Sequence, residues 1–343
     1  MKGRSTMALS ITRKRFLLGA AAAGTAAAIL PARAARRSVI RFGLDLTADH
    51  PTTVNAVAAA KKIKDATNGE VDVQVFPSSQ LGDDTHMLSN LRSGAMQMMA
   101  IGDNILATLV PSAAIDNIGF AFKSPEMAWK ALDGKVGDIV RADIEKTGLH
   151  PMTRIWDEGF REVTSSTKQI STPEDLHGFK IRVPPSPISL SLFQSLGAAA
   201  VTINAAELYT ALQTHVVDGQ ENPLGNIETM KLDQVQKFCS LTNHMWVGYW
   251  LLVNGPFWTG LPEEHRKIVG DTFDAQAVEQ RAANQKLDAS LEAVLKKQGM
   301  AFTTPDTTAF QAVLTKAGFY KNWQAKFGTP LWSALESVTG PLA

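Results

Sequence analysis

A chain of 343 residues, 45% hydrophobic and 20% charged, has the makeup of a globular protein and is long enough for two domains of ordinary size. Its formal charge of +1 hides an asymmetry: the first 34 residues carry six basic side chains (Lys2, Arg4, Arg13, Lys14, Arg15, Arg33) and no acid, which leaves about −5 on the remainder. That acidic balance argues against a nucleic-acid partner, and a single cysteine, Cys239, excludes an internal disulfide and is expected as a buried small hydrophobe.

The basic start leads into an apolar run, Leu18 to Leu30, and then Ala32-Arg33-Ala34. This is the form of a secretory signal over residues 1–34, with cleavage expected after Ala34 and the periplasm as destination. Thr12-Arg13-Lys14-Arg15-Phe16-Leu17 resembles a twin-arginine signal with Lys14 in place of the second arginine, so two export routes stay open.

Beyond it, a strand is expected from Val39 to Leu44, then a polar loop from Asp45 to Thr53. A helix carrying Val54, Val57, Ala58 and Ile63 should stop at Asn68-Gly69. Val71, Val73 and Val75 alternate with polar residues and predict a second strand. Asp83-Asp84 opens a helix with Met87, Leu88 and Leu91 on one face, closed by Gly94. Ser124-Pro125-Glu126 starts another, and a strand is expected from Leu149 to Trp156. This strand–helix rhythm predicts a mostly parallel sheet covered by helices. Later, Pro262 to Gln298 is interrupted only by Gly270 and closed by Gly299, enough for a helix of roughly 55 Å. A strand from Ala301 to Thr304 and helices after Asp306 complete the chain.

The stretch from Gly159 to Gly225 organises the rest. In Phe179-Lys180-Ile181-Arg182-Val183 the apolar residues alternate, so Arg182 points away from the core, and Pro184-Pro185 leaves it near the strand's end. Thr172-Pro173-Glu174-Asp175 predicts a helix start, and Asn204-Ala205-Ala206-Glu207 predicts a capping box before a helix with Leu208, Tyr209 and Leu212. Asp218-Gly219 reads as a turn delivering Gln220 to Asn222 to the surface.

Gly159-Phe160-Arg161, the run Asp175 to Pro184, Tyr209 to Gln213 and Val217 to Pro223, in this order and spacing, resemble the solute-binding proteins of TRAP (tripartite ATP-independent periplasmic) transporters, the DctP family. Weaker similarity runs from Phe76 to Asp84 and from Asn254 to Leu261. The resemblance implies an α/β, two-domain periplasmic binding-protein (Venus flytrap) fold with the long helix spanning both domains. Domain I is expected over 35–157 and 248–287, domain II over 158–247 and 288–343. It also implies a small organic acid or sugar acid bound in the interdomain cleft and delivered to the transporter's membrane subunits for ion-gradient-driven uptake. A monomer is expected, with no cofactor and no nucleic acid.

Within that resemblance Arg182, in K-x-R-V-P, matches the family's carboxylate clamp, whose planar fork of donors suits a carboxylate in a way lysine does not. Arg161 matches its assistant and Asn222 the amide that completes the clamp. Asp45 and Asp84 match positions that touch polar groups of sugar-acid ligands, and His50, in the same loop as Asp45, is within reach. Trp156, Trp246 and Tyr249 are expected near the cleft as possible stacking rings, with Ser186 and Ala205 beside them. Gly102 and Ala205 depart from sialate-binding members and argue against sialic acid. The seven histidines lack metal-ligand spacing, so no metal is expected, and no nucleophile–base pair appears. A receptor serving a membrane sensor, or a secreted enzyme acting on an organic acid, are the competing readings.

Overall fold

The computed structural model describes residues 37–342, so the expected leader lies outside the described residues. Ten strands form one sheet: β1 (Ser38–Gly43), β2 (Val71–Phe76), β3 (Met98–Gly102), β4 (Leu149–Pro151), β5 (Trp156–Ser165), β6 (Lys180–Val183), β7 (Ala199–Thr202), β8 (Gly219–Asn222), β9 (Phe238–Asn254) and β10 (Ala301–Thr303). Their spatial order is β2-β1-β3-β9-β5-β8-β6-β7, with β10 pairing the start of β9 and β4 its end.

The expected parallel pairing holds at the two flanks. β1 runs parallel to β2 and β3, and β6 runs parallel to β7 and β8. The centre differs: β9 is antiparallel to β3 and β5, and β5 is antiparallel to β8. Two long strands, ten and seventeen residues, therefore join a pair of α/β flanks into one sheet. β5 and β9 slip register twice, between Asp157 and Gly159 and between Arg161 and Val163. These are bulges, and they decide which side chains of β5 share a face.

Most helix limits follow their caps. The helix Asp84–Ser93 is capped by Asp83, whose side chain accepts from His86 N–H, and ends on Gly94 at φ 79°. Pro125–Leu132 is capped by Ser124, and Thr307–Lys316 by Asp306. Pro173–Leu176 is a single tight turn: Asp175 accepts from Ser171 and Thr172 N–H, but Gly178 at φ 69° ends it. The helix Ala205–Gln213 begins at Asn204, whose side chain makes no cap bond. The expected strand 149–156 is broken, because Thr153 and Arg154 N–H turn away to donate to Asp274. In helix Pro51–Ala66 the buried stripe is Ala56, Ala59, Ala60 and Ile63, whereas Val54 and Val57 are more than half exposed. The small residues allow close packing on the long helix.

That long helix, Glu263–Lys297, runs through Gly270 without a break, 35 residues or about 52 Å. Its early turns bury Val269, Phe273 and Ala277 in the core of β1 and β3, and its end buries Leu295 with Leu208, Leu212 and Val217 of the other flank. Between them Gln280, Arg281 and Asn284 hold the backbone of β5: Arg281 donates to Ile155 O, Gln280 to Asp157 O and Asn284 to Glu158 O. On the opposite face one apolar core runs across both flanks, from Met87 and Leu91 through Trp246 to Ile181 and Phe193. The last helix, Phe319–Thr339, bends at Gly328 before Pro330 and packs on residues 111–117, 125–132 and 135–145. Cys239 is buried in β9. Among the described residues no helix is long and apolar enough to cross a membrane.

Candidate ligand-binding site

Strands end, or bulge, around one polar cavity between the flanks. β6 delivers Arg182 there while Ile181 and Val183 enter the core, as the alternation requires. The Arg182 side chain is 2% exposed. Its Nε donates to Ile203 O at 2.7 Å, and its two Nη groups have no acceptor among the described residues. Burial, with Arg161 nearby and against the pull of Glu221, lowers its pKa to about 10, so it stays charged at neutral pH. Pro184, Ala205, Ile105 and Met230 supply apolar walls.

Arg161, on β5, also lines the cavity but is fully engaged. It pairs with both carboxylate oxygens of Glu221, donates to Glu158 Oε2 at 2.9 Å, and donates through Nη2 to Glu221 O at 2.8 Å and Asn222 Oδ1 at 2.9 Å. Burial opposes its charge, but Glu221 and Glu158 more than offset that and hold the guanidinium above its ordinary range. Glu221 in turn is buried, yet Arg161 and His244 keep its carboxyl below the usual value. Asn222 completes this cluster, because its Oδ1 accepts from Arg161 while its Nδ2 donates to Gln220 Oε1. β8 is therefore a buried inner strand; residues 220–222 are not carried to the surface by a turn. Arg161 and Glu221 on adjacent strands neutralise each other there.

The other side of the cavity is acidic. Asp45, in the loop just after β1, accepts from Tyr249 Oη at 3.1 Å, and Tyr249 also reaches Glu158 Oε1. Glu158 Oε1 further accepts from Asn226 Nδ2 at 2.7 Å. Burial raises the pKa of Glu158 to about 7 despite Arg161, raises that of Asp45, and raises that of Asp84, where the charge of Asp45 adds to the effect. Asp84 lies in the first turn of its helix, 2% exposed, with Oδ1 unpartnered. His50 caps the helix Pro51–Ala66 through Nδ1, which accepts from Thr52 N–H, and its Nε2 faces Gly225 and the Asn226 side chain. The void enclosed by these groups is about 20 Å³, room for about one water, so an organic acid enters only when the walls part.

The residues matched by the bacterial extracellular solute-binding protein family 7 (DctP) run from 42 to 324, which takes in both flanks and every side chain of this cavity. The chain belongs to that family. The C4-dicarboxylate-binding periplasmic protein of Rhodobacter capsulatus is 32% identical over 336 residues, 95% of this chain and 98% of that one. The sugar acid binding protein of Advenella mimigardefordensis, solved with galactonate, superposes with a TM-score of 0.85 at 28% identity, covering 90% of this chain and 99% of that one. An uncharacterised protein of Sinorhizobium fredii is 39% identical over 248 residues, 71% of this chain, which spans 45% of that protein's length. The fold is thus that of two-domain TRAP solute-binding proteins, and the chain is a periplasmic-type solute-binding protein.

In this DctP-family chain the cavity gathers six expected residues: Arg182, Arg161, Asn222, Asp45, Ala205 and Tyr249. His50 and Asp84 lie just behind it. Three others are elsewhere. Trp156 is fully buried against Phe273 of the long helix, Trp246 packs on Phe122 and donates to Asp157, and Ser186 caps the helix Pro187–Ser195. Reading the sequence missed Glu158 and Asn226. Strict alternation puts Glu158 opposite Arg161, and only the bulge at Gly159, at φ 123°, brings both to one face. Asn226 sits four residues after Asn222, a helical spacing that would have signalled it.

Two roomier hollows, of about 410 and 550 Å³, open on the opposite face of β5, where Phe160 and Glu162 point. The first is lined by the carboxyl groups of Asp157, Glu162 and Asp288 with no cation among its lining residues, and the second has only the exposed Lys123 as a cation. Neither matches the chemistry of the arginine site.

Proposed function

We propose that this solute-binding protein takes a small organic acid by its carboxylate at Arg182 and hands it to the membrane subunits of a TRAP transporter. The observation that carries this is the contrast within one cavity. Arg161 is neutralised by Glu221 and Glu158, whereas Arg182 is buried, charged and has both Nη groups free. A buried guanidinium whose Nη donors lack acceptors is unfavourable until an anion with matching geometry arrives. The C4-dicarboxylate and galactonate named for the relatives are carboxylates, in keeping with that geometry.

The cavity is too small as it stands, so binding proceeds through parting and closing of two lobes, 35–157 with 248–287 and 158–247 with 288–343. The bulged strands β5 and β9 form the hinge between them. Closure expels water and strengthens the ion pair. The protein acts without catalysis, as a monomer, in the periplasm after removal of the leader past Ala34.

The test is thermal unfolding of the exported chain against carboxylic acids, each beside its neutral amide. Acids should raise Tm, amides should not, and Arg182→Ala should abolish the shift by weakening binding on the order of 30- to 1,000-fold. Equal shifts from amides, or full binding by Arg182→Ala, would make the arginine structural and overturn the reading.

A further inference from the structure

Tyr249 stands between two acids of the arginine cavity. Its hydroxyl lies 3.1 Å from Asp45 Oδ1 and 3.4 Å from Glu158 Oε1, and all three residues line the void. A phenol has one proton to donate, so it serves one carboxylate and turns its lone pairs to the other. Burial, with the charges of Asp45 and Glu158 adding to it, pushes Tyr249 well above its ordinary value, so that proton stays on the oxygen. Both contacts are hydrogen bonds only when one of the two carboxyls carries a proton of its own and donates it to Oη.

The charges around this trio lead to the same result by a separate route. Arg161, on β5, is taken by Glu221 of β8. Arg182, on β6, is the other guanidinium of the cavity. Asp84, with Asp83 before it, and Asp103, just after β3, add further acids close by. His50, at the start of its helix, is lowered by burial to about 4, and burial also lowers His244 of β9, so neither is charged at neutral pH. Asn104 and Asn226 are neutral. Once a ligand carboxylate occupies Arg182, no cation is left for Asp45 and Glu158. With the walls parted, water solvates both and both ionise. With the walls closed on a void of about 20 Å³ that water is gone, and neighbouring carboxylates do not all stay ionised in such a space. The rise of Glu158 to about 7 through burial, against Arg161, and the rise of Asp45 through burial accord with this.

We infer that the anion is captured together with a proton, which Asp45 and Glu158 share through the Tyr249 hydroxyl. This rests on the carboxylate reading above and goes past it: closure draws a proton from solvent and opening returns it. The proton belongs to the closed, occupied form, so affinity is lost as pH rises, and alkaline conditions favour the empty protein.

Isothermal titration of the exported chain with galactonate and with succinate tests it between pH 6.5 and 8, where both probes are ionised. Each is measured in two buffers of unlike protonation enthalpy, which reveals the protons taken up. At least one probe should bind with uptake of about half to one proton per anion at pH 7, and its affinity should fall roughly 10- to 30-fold from pH 6.5 to 8. In Glu158→Gln and in Asp45→Asn an amide N–H takes the place of the shared proton, so uptake should vanish and the pH profile flatten, whatever the affinity. Wild-type binding with no uptake and a flat profile sinks this inference and leaves the arginine clamp standing. Uptake unchanged in either variant does the same. If neither probe binds, or its neutral amide binds as tightly, the clamp itself falls and this inference with it. The wild-type titrations decide even if the variants do not fold.

Discussion

Arg161 and Arg182 are the same residue type, lie on strands of one sheet, and line one cavity, each about 2% exposed. Around Arg161 the protein has built a complete shell: two carboxylates, a carbonyl and an amide oxygen. Around Arg182 it has built one bond to a backbone carbonyl and apolar walls. The first arginine belongs to the scaffold and the second to the ligand. Burial alone distinguishes nothing here; the count of partners does, and it separates a group that folding needs from a group that function needs.

The largest expected effect breaks the scaffold side. Arg161→Ala leaves Glu221 and Glu158 buried without their cation and should cost on the order of 3–5 kcal/mol of stability, read by urea unfolding. A cost below about 1 kcal/mol would mean that the shell is not structural. The next effect concerns buried acids, Glu158 of that shell and two outside it. Burial raises Asp157 to about 8, with Asp288 adding to it, raises Glu162 to about 8, and raises Glu158 to about 7. Folded, these groups hold protons that the unfolded chain has released above pH 5, so they favour folding at low pH and lose that contribution as pH rises through 7 to 8. Between pH 6.5 and 8 Tm should fall by roughly 5–10 °C. A flat or rising Tm there would show the carboxyls to be ionised in the fold. The smallest effect tests the ligand side. Arg182→Met should leave stability unchanged or raise it by up to about 1 kcal/mol, because an unpaired buried charge is replaced by an apolar side chain. A loss as large as that of Arg161→Ala would erase the distinction between the two arginines.

Much of the fold was legible because helix limits are written locally. Asp83 and Gly94, Ser124-Pro125 and Asp306 each set a boundary through their own backbone bonds. Arg182 was legible for the same reason, since Ile181 and Val183 must enter the core and Pro184 must end the strand. What escaped depends on partners far along the chain. Whether Gln220 to Asn222 lie at the surface or inside is settled by β5 and β6 on either side. Val54 and Val57 are exposed because the long helix, more than two hundred residues later, packs on the alanine face instead. Glu158 joined the site only because Gly159 permits a bulge against Val247 and Gly248. Trp156 was expected in the cleft because aromatics often line one, but Phe273 of the long helix encloses it in the core.

The long helix has a mechanical consequence. Gln280, Arg281 and Asn284 fasten it to the backbone at 155–158, and its earlier turns lie in the core of the first flank, so it is gripped over more than half its length. The remaining turns, to Lys297, project like a cantilever to the second flank, where Leu295 is seated. A cantilever turns a small rotation at its root into a larger travel at its tip. Because the root is fastened at the backbone of Glu158, itself in the cavity wall, a tilt of a few degrees there sweeps the tip through a distance that a pair of spin labels, one on each flank, can measure.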